Sequence, residues 1–160
     1  HDLYMAVGYT MAQERLWQLD FLRRVTQGRL SEILGEGLVS TDYLLRLLRY
    51  QAKSEKILAT LHPDIISALQ AFSDGINLYI EQNSKKLPVE FTLLGYKPEP
   101  WKPVHSLNLI GYMAWDLKSG WSEIILEEIR QKVEPSLYNE LLPDMAGQKS
   151  VVYSNASAKK

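Results

Sequence analysis

Histidine is the side chain best suited to move protons near neutral pH, and the chain has three: His1, His62 and His105. They lie far apart, outside any metal-ligand spacing, and His62 before Pro63 has an immediate structural reading at a helix start. Adjacent carboxylates at Glu127 and Glu128 sit on an amphipathic pattern and read as a solvated face. There is no Gly-rich phosphate loop, no GxSxG elbow and no HExxH. The absence of cysteine excludes disulfides and thiolate metal sites. Taken residue by residue, the chain holds no self-sufficient active site.

One stretch breaks the helical pattern. In "MAWDLKSGWSEI", residues 113 to 124, an apolar, helix-compatible run meets Asp116, Lys118, Ser119 and Gly120, and the helical pattern then resumes at Ser122. Ser119-Gly120 lets the chain turn, and Ser122 can cap the next helix. Met113 and Leu117 suit either a packed core or an apolar ligand. Asp116 after "YMAW" is expensive to bury unless paired, and is otherwise a solvated helix-end residue. Glu123 falls in a first helical turn, where the helix dipole favours an acid.

The elements that must position these residues are helical nearly throughout. Met5, Tyr9, Ala12, Leu16, Leu19 and Leu22 recur at steps of three and four, with Asp2 as N-cap. Val7, Met11, Trp17, Phe21 and Val25 add a second apolar face, so this first helix is expected to be buried on more than one side. Gly28 ends it, and "RLSEILG" reads as a short helix stopped by Gly35. Ser40 or Thr41 caps the next, whose stripe is Tyr43, Leu47, Tyr50, Ile57 and Leu61. His62-Pro63 starts another, with Ile65, Leu69, Phe72, Ile76 and Tyr79 on one face. "YKPEPWKP" is an extended connector. Helices are expected at about 104 to 117 and 122 to 133, with a short one after Pro135.

The strand-like "SVVY" at 150 to 153 falls within a polar, loosely held tail, and no internal repeat is visible. The expected fold class is all-α, with one helical domain over residues 1–147 and a polar tail or spacer over 148–160.

Hydrophobic content of 46% and charged content of 23% describe an ordinary globular chain. A net charge of −1 argues against nucleic acid as a partner, and no apolar run reaches the 18 residues needed to span a membrane. The first residues carry no basic n-region and no cleavage pattern, which leads us to expect a mature or trimmed chain.

"HDLYMAVGYTMAQERLWQLDFLRRVTQGRLSEILG" closely resembles the start of the α subunit of the penicillin acylase family, whose members commonly read D-L-Y/F-x-A-x-G-Y-x-x-A-Q-x-R-L-W-Q-x-D. "LQAFSDGINLYIE", "LPVEFTLLGYKPEPWKP" and "MAWDL" match further blocks in family order, so the resemblance covers roughly residues 1 to 145. It implies an N-terminal-nucleophile hydrolase of αββα fold, cut from one precursor into a helical α chain and a large β chain. It also implies that this chain alone is inactive: the β chain's new N-terminal serine attacks the amide, with its own α-amine as base. "YSNAS" at 153 to 157 is only superficially like the Ser-Asn of that junction, because Tyr153 stands where glycine is usual.

The resemblance implies a role for the broken helix too. In the family its last turn borders the acyl pocket and carries residues that shift when substrate enters. By position, Met113, Asp116 and Leu117 would face that pocket. Glu123 matches a carboxylate that family members offer to a structural calcium held mainly by the β chain. Penicillin-G-type members carry Arg-Phe where Asp116-Leu117 stand, and "AWDL" looks more like the acyl-homoserine-lactone branch. An aliphatic acyl group is therefore at least as well suited as phenylacetyl. Family members are usually exported, which implies a periplasmic or extracellular enzyme. The alternative is a free-standing, non-catalytic all-α binding or scaffolding domain.

Overall fold

The computed structural model describes residues 1–118 and 120–141, and the described residues form helices joined by short connectors. They fall into two units, His1–Leu117 and a second beginning at Lys118. The tail over 148–160, with "SVVY" and "YSNAS", lies outside the described residues.

In the first unit, α1 (Asp2–Gln27) begins at the residue expected to cap it, one position earlier than the pattern implied. His1 occupies the N-cap without a side-chain bond, and Asp2 becomes a first-turn acid. The helix is kinked at Arg15 (φ −151°, ψ 37°). It ends at Gly28, as the pattern required, in a left-handed conformation (φ 61°). The N–H groups of Gly28 and Arg29 return to the Val25 and Arg24 carbonyls at 3.1 and 3.0 Å. Burial on several sides holds only from Gly8 onward: Leu3, Tyr4 and Val7 in the opening turns are exposed.

The short α2 (Ser31–Leu34) stops at Gly35 and passes through a 3-10 turn, Glu36–Leu38, into α3 (Val39–Leu47). Buried Asp42 of α3 caps α2 from a distance. Its carboxylate accepts the Leu30 and Ser31 N–H groups at 2.7 and 2.8 Å and the Ser31 hydroxyl at 2.6 Å. Burial pushes the Asp42 carboxyl up, but these donors outweigh it and hold the group below its ordinary range.

The single helix expected across residues 41 to 61 is instead two, α3 and α4 (Tyr50–Leu58), broken at Leu48–Arg49. Arg49 takes φ 55°, a conformation that costs a side-chain-bearing residue about 1 kcal/mol or more. The reason is tertiary. The break lets α3 pack on α1 while Tyr50 packs its ring over Gly111 of α7 (Pro103–Leu117).

α5 (Pro63–Gln82) starts as the sequence indicated: proline opens it, and His62 Nδ1 accepts the Asp64 N–H at 3.3 Å. α1 and α5 form the most extensive helix pair of the unit, and they cross at two glycines. A Cβ on Gly8 would lie 2.9 Å from the Phe72 carbonyl carbon and closer still to its oxygen. One on Gly75 would meet Met5 in the same way. Around this crossing sit Ala12, Leu16, Leu19, Ile76, Phe91 and Trp101, the buried core.

Phe91 comes from α6 (Val89–Leu93), a five-residue helix not anticipated from the pattern. The Pro-rich connector after it, residues 96 to 102, carries no regular secondary structure. Asn77 clamps it in two-point fashion, accepting the Trp101 N–H at 2.7 Å and donating to the Trp101 carbonyl at 3.0 Å.

A buried ionic cluster ties the end of α1 to this connector. Arg23, fully buried, donates to Asp20 and, at 3.3 Å, to Glu99; Arg24 reaches Asp20 at 3.1 Å and Glu32 at 2.9 Å. The Arg24 guanidinium also lies 4.7 Å above the Tyr96 ring. Arg29 joins Glu32 and Glu99, each at 2.8 Å, and its hydrogen bonds hold both carboxyls below their ordinary range.

The second unit contains α8 (Gly120–Lys132) and α9 (Pro135–Leu141). α8 begins two residues before the expected start, so Ser122 lies in its first turn and is not its cap. Glu127 and Glu128 form the solvated face foreseen for them: Glu127 accepts from Arg130 and Gln131, and Glu128 from Lys132.

Candidate functional site at the end of α7

α7 is anchored at its start by a reciprocal cap. Pro103 is its first residue; Lys102 precedes it, and the His105 N–H donates to the Lys102 carbonyl at 2.9 Å. The Lys102 N–H in turn donates to His105 Nδ1 at 3.1 Å. His105 thus takes the place that Glu or Gln holds in a capping box. Burial, followed by the Arg23 and Lys102 charges, pushes its pKa down to about 4, so it is a neutral structural acceptor.

This makes stability depend on pH. Unfolded, the imidazole takes up a proton near pH 6.5; folded, it resists until about pH 4. The unfolded state therefore binds more protons in that window, and stability falls as pH drops from about 6.5 toward 4. His105→Gln keeps the acceptor without the titration. Its melting temperature should lose the part of the pH 6.5-to-4 slope that wild type shows, and an unchanged slope would count against this role.

Beyond its first turns α7 packs against α4. Gly111 admits the Tyr50 ring, whose Cδ1 would lie 3.2 Å from a Cβ there; Tyr112 meets Tyr50 edge-on at 6.3 Å. Buried Asn108 donates to Gln51 at 2.8 Å. Another edge of α7 is bare: Ile110, Met113 and Leu117 are 62%, 55% and 79% exposed. Their spacing of three and four puts them in one row.

Met113, Asp116 and Leu117 are therefore brought together, on an open surface. The hollow nearest them, between α4 and α7, is lined by Ile110 and Trp115 but by none of the three. Asp116 is exposed, so it bears no burial cost within this chain. Its charge is felt by Tyr50: burial first, then Tyr112 and Asp116, push the Tyr50 hydroxyl up to about 12.

Glu123 stands in the first turn of α8, in the second unit, exposed and without a hydrogen-bond or ion-pair partner among the described residues. His1 and His62 are exposed at helix starts. The nearest approach to a nucleophile–base pair among the described residues is Ser31 with Asp42. Asp42 caps α2 and is held strongly anionic, which makes it a poor base. What the end of α7 presents is an apolar edge with one acid beside it.

Residues 1–159 match the family profile described as penicillin amidase. The chain is 32% identical over 123 residues to the penicillin acylase 2 proenzyme of Pseudomonas sp. (strain SE83), covering 77% of this chain and 16% of that protein. It is 31% identical over 134 residues to the acyl-homoserine lactone acylase QuiP of Pseudomonas aeruginosa, covering 83% and 16%. The chain thus spans about one sixth of the length of these curated relatives. Among solved structures, it overlays the thermostable penicillin G acylase from Alcaligenes faecalis with a TM-score of 0.71 and 27% identity, covering 93% of this chain and 86% of that one.

Proposed function

The chain belongs to the penicillin amidase family, and from that membership we propose that it is the helical α-subunit portion of an N-acyl amidohydrolase. On this reading it supplies one wall of the acyl pocket. The larger β portion, cut from the same precursor, supplies the N-terminal serine nucleophile and the donors for the tetrahedral oxyanion. The observation that carries the reading is the bare row Ile110, Met113 and Leu117 on a helix of which another face is packed against α4. A free-standing scaffolding domain has no need of such an edge, whereas a subunit completed by a second chain does. The lengths agree: the chain matches 16% of a relative named as a proenzyme, but 86% of a chain in the solved acylase. On this reading the complete enzyme works in the periplasm or outside the cell.

Met113 brings an adaptable thioether to the pocket wall and Leu117 an aliphatic one. Asp116, one residue from Leu117, would direct polar parts of the substrate away from the apolar row. The expected preference is for an aliphatic acyl group. In the complete protein, Asp116→Arg with Leu117→Phe should shift relative kcat/KM from aliphatic toward phenylacetyl amides by roughly tenfold or more. Both positions are exposed in this chain, so folding should survive. Unchanged ratios in a folded, active variant would remove these residues from the pocket.

The family also implies a calcium ion. Among the described residues no group of three or more metal-ligating side chains converges. Glu123 therefore fits only as one donor to an ion held mainly by the β portion, and its free, exposed carboxylate is suited to that. Bound calcium would supply structural linkage and no bond-breaking chemistry. Calcium should raise the melting temperature of the complete wild-type protein more than that of Glu123→Gln. Identical responses to calcium and to chelator would leave Glu123 as a first-turn acid only.

A further inference from the structure

A second binding surface lies beside the α7 edge. Between α4 and α7 runs a hollow of about 390 Å³, walled by Leu48, Ile57, Leu107, Ile110 and Trp115. That volume falls near the lower end of small-molecule pockets, about 300–1,000 Å³. Tyr50 lines it as well, and its buried hydroxyl has no hydrogen-bond partner among the described residues. Lys53 stands on its rim and also lines a smaller hollow of about 190 Å³ with Arg49 and Lys56. Lys53 and Lys56 are three apart on α4 and Arg49 immediately precedes it, and all three border the smaller hollow, so they form one group of cations. All three are exposed, and none has an ion-pair partner among the described residues. An apolar trough that opens onto unpaired positive charge is complementary to an anion with a hydrocarbon tail.

We propose that this groove binds a free aliphatic carboxylate, its chain lying between α4 and α7 and its head group against Lys53 and Arg49. Apolar burial supplies the attraction for the tail. The cation group fixes the orientation and makes binding sensitive to salt, because charges at an open surface are screened within about 8 Å at physiological ionic strength. The site is distinct from the row Met113 and Leu117, although Ile110 borders both, and it holds whether or not the chain serves amide hydrolysis.

The test uses the complete protein that carries this chain, with dodecanoate below its micellar concentration as the probe. Calorimetry should show saturable binding that weakens as salt is raised. Arg49→Glu with Lys53→Glu should weaken it roughly tenfold. The same variant should gain affinity for dodecyltrimethylammonium, which has the same tail and the opposite charge. Both substitutions are at exposed positions, and an unchanged circular dichroism melt verifies the fold. Brominated dodecanoate should quench fluorescence in wild type and markedly less in Trp115→Phe, which locates the tail. Equal dodecanoate binding before and after charge reversal would overturn the proposal. So would binding to anionic vesicles without binding of the free acid, which would assign the face to membranes. Absence of binding, with Lys53 shielded from amine-reactive label, would mean that the rest of the polypeptide covers the groove, and overturns it equally. Amidase activity is read separately, so loss of that activity and failure to bind dodecanoate remain distinguishable results.

Discussion

Gly75→Ala is expected to destabilise the chain by about 3 kcal/mol, at the upper end of what overpacking usually costs. The added methyl has nowhere to go. It would lie 2.8 Å from the Tyr9 backbone nitrogen and 2.9 Å from the Met5 carbonyl carbon, and these are main-chain atoms of α1 that no rotamer change can move. α1 and α5 must separate, and the core on both sides of the crossing opens with them. Gly8→Ala meets the Phe72 main chain and should behave in the same way. Gly37 provides the control: a Cβ there meets nothing within 4 Å, so Gly37→Ala should stay within about 0.5 kcal/mol of wild type. Urea denaturation of the three variants measures the contrast. If Gly75→Ala and Gly37→Ala unfold at the same midpoint, the crossing is not as tight as described.

Arg23→Met is expected to cost about 3 kcal/mol, in line with breaking a buried ion pair from one side. Methionine fills much of the same space, so the loss is chiefly electrostatic. Asp20, 3% exposed, would keep Arg24 as its one charged partner among the described residues, and Glu99 would lose one of its donors. The informative variant is the double one. Arg23→Met with Asp20→Leu removes the half-paired carboxylate as well, leaves Arg24 with Glu32, and replacing a buried pair by apolar residues is often close to neutral. The double variant should therefore be more stable than Arg23→Met alone. Strictly additive losses in the double-mutant cycle would show that the two side chains act independently.

The local punctuation of this fold was legible and its tertiary overrides were not. Gly28, Gly35 and His62-Pro63 mark helix ends because each acts through its own backbone: a left-handed turn, or a ring that suits a first turn. Arg49 carries no such mark. Arginine is a good helix former, and the break there exists because Tyr50 must reach Gly111, sixty-one positions on. α6 is too short to show a period; it is held by Phe91 in the core. The ionic cluster did leave a signal that went unread. Asp20 and Arg23 continue the stripe of Leu16 and Leu19, and charges in line with a buried stripe ask for partners. At the candidate site, helical period alone puts Met113 and Leu117 on one edge. Which face of α7 is packed depends on where α4 docks, which no local pattern reveals, and the α4–α7 groove was missed for the same reason.

The reach of Arg23 to Glu99 also bears on the order in which the chain comes together. The Asp42 carboxylate finds the Leu30 N–H across 12 residues, whereas the Arg23–Glu99 contact spans 76. Loop-closure entropy makes the longer contact about 1.6 kcal/mol harder to form from an open chain. The turn of α2 and α3 against the end of α1 should then assemble early, with Arg23 and Asp20 already paired but still open to water. During synthesis nothing can seal them until the Pro-rich connector has left the ribosome. Until then the nascent segment holds a hydrated ion pair in place of a finished core, and so the step that dries Arg23 is the docking of residues translated much later.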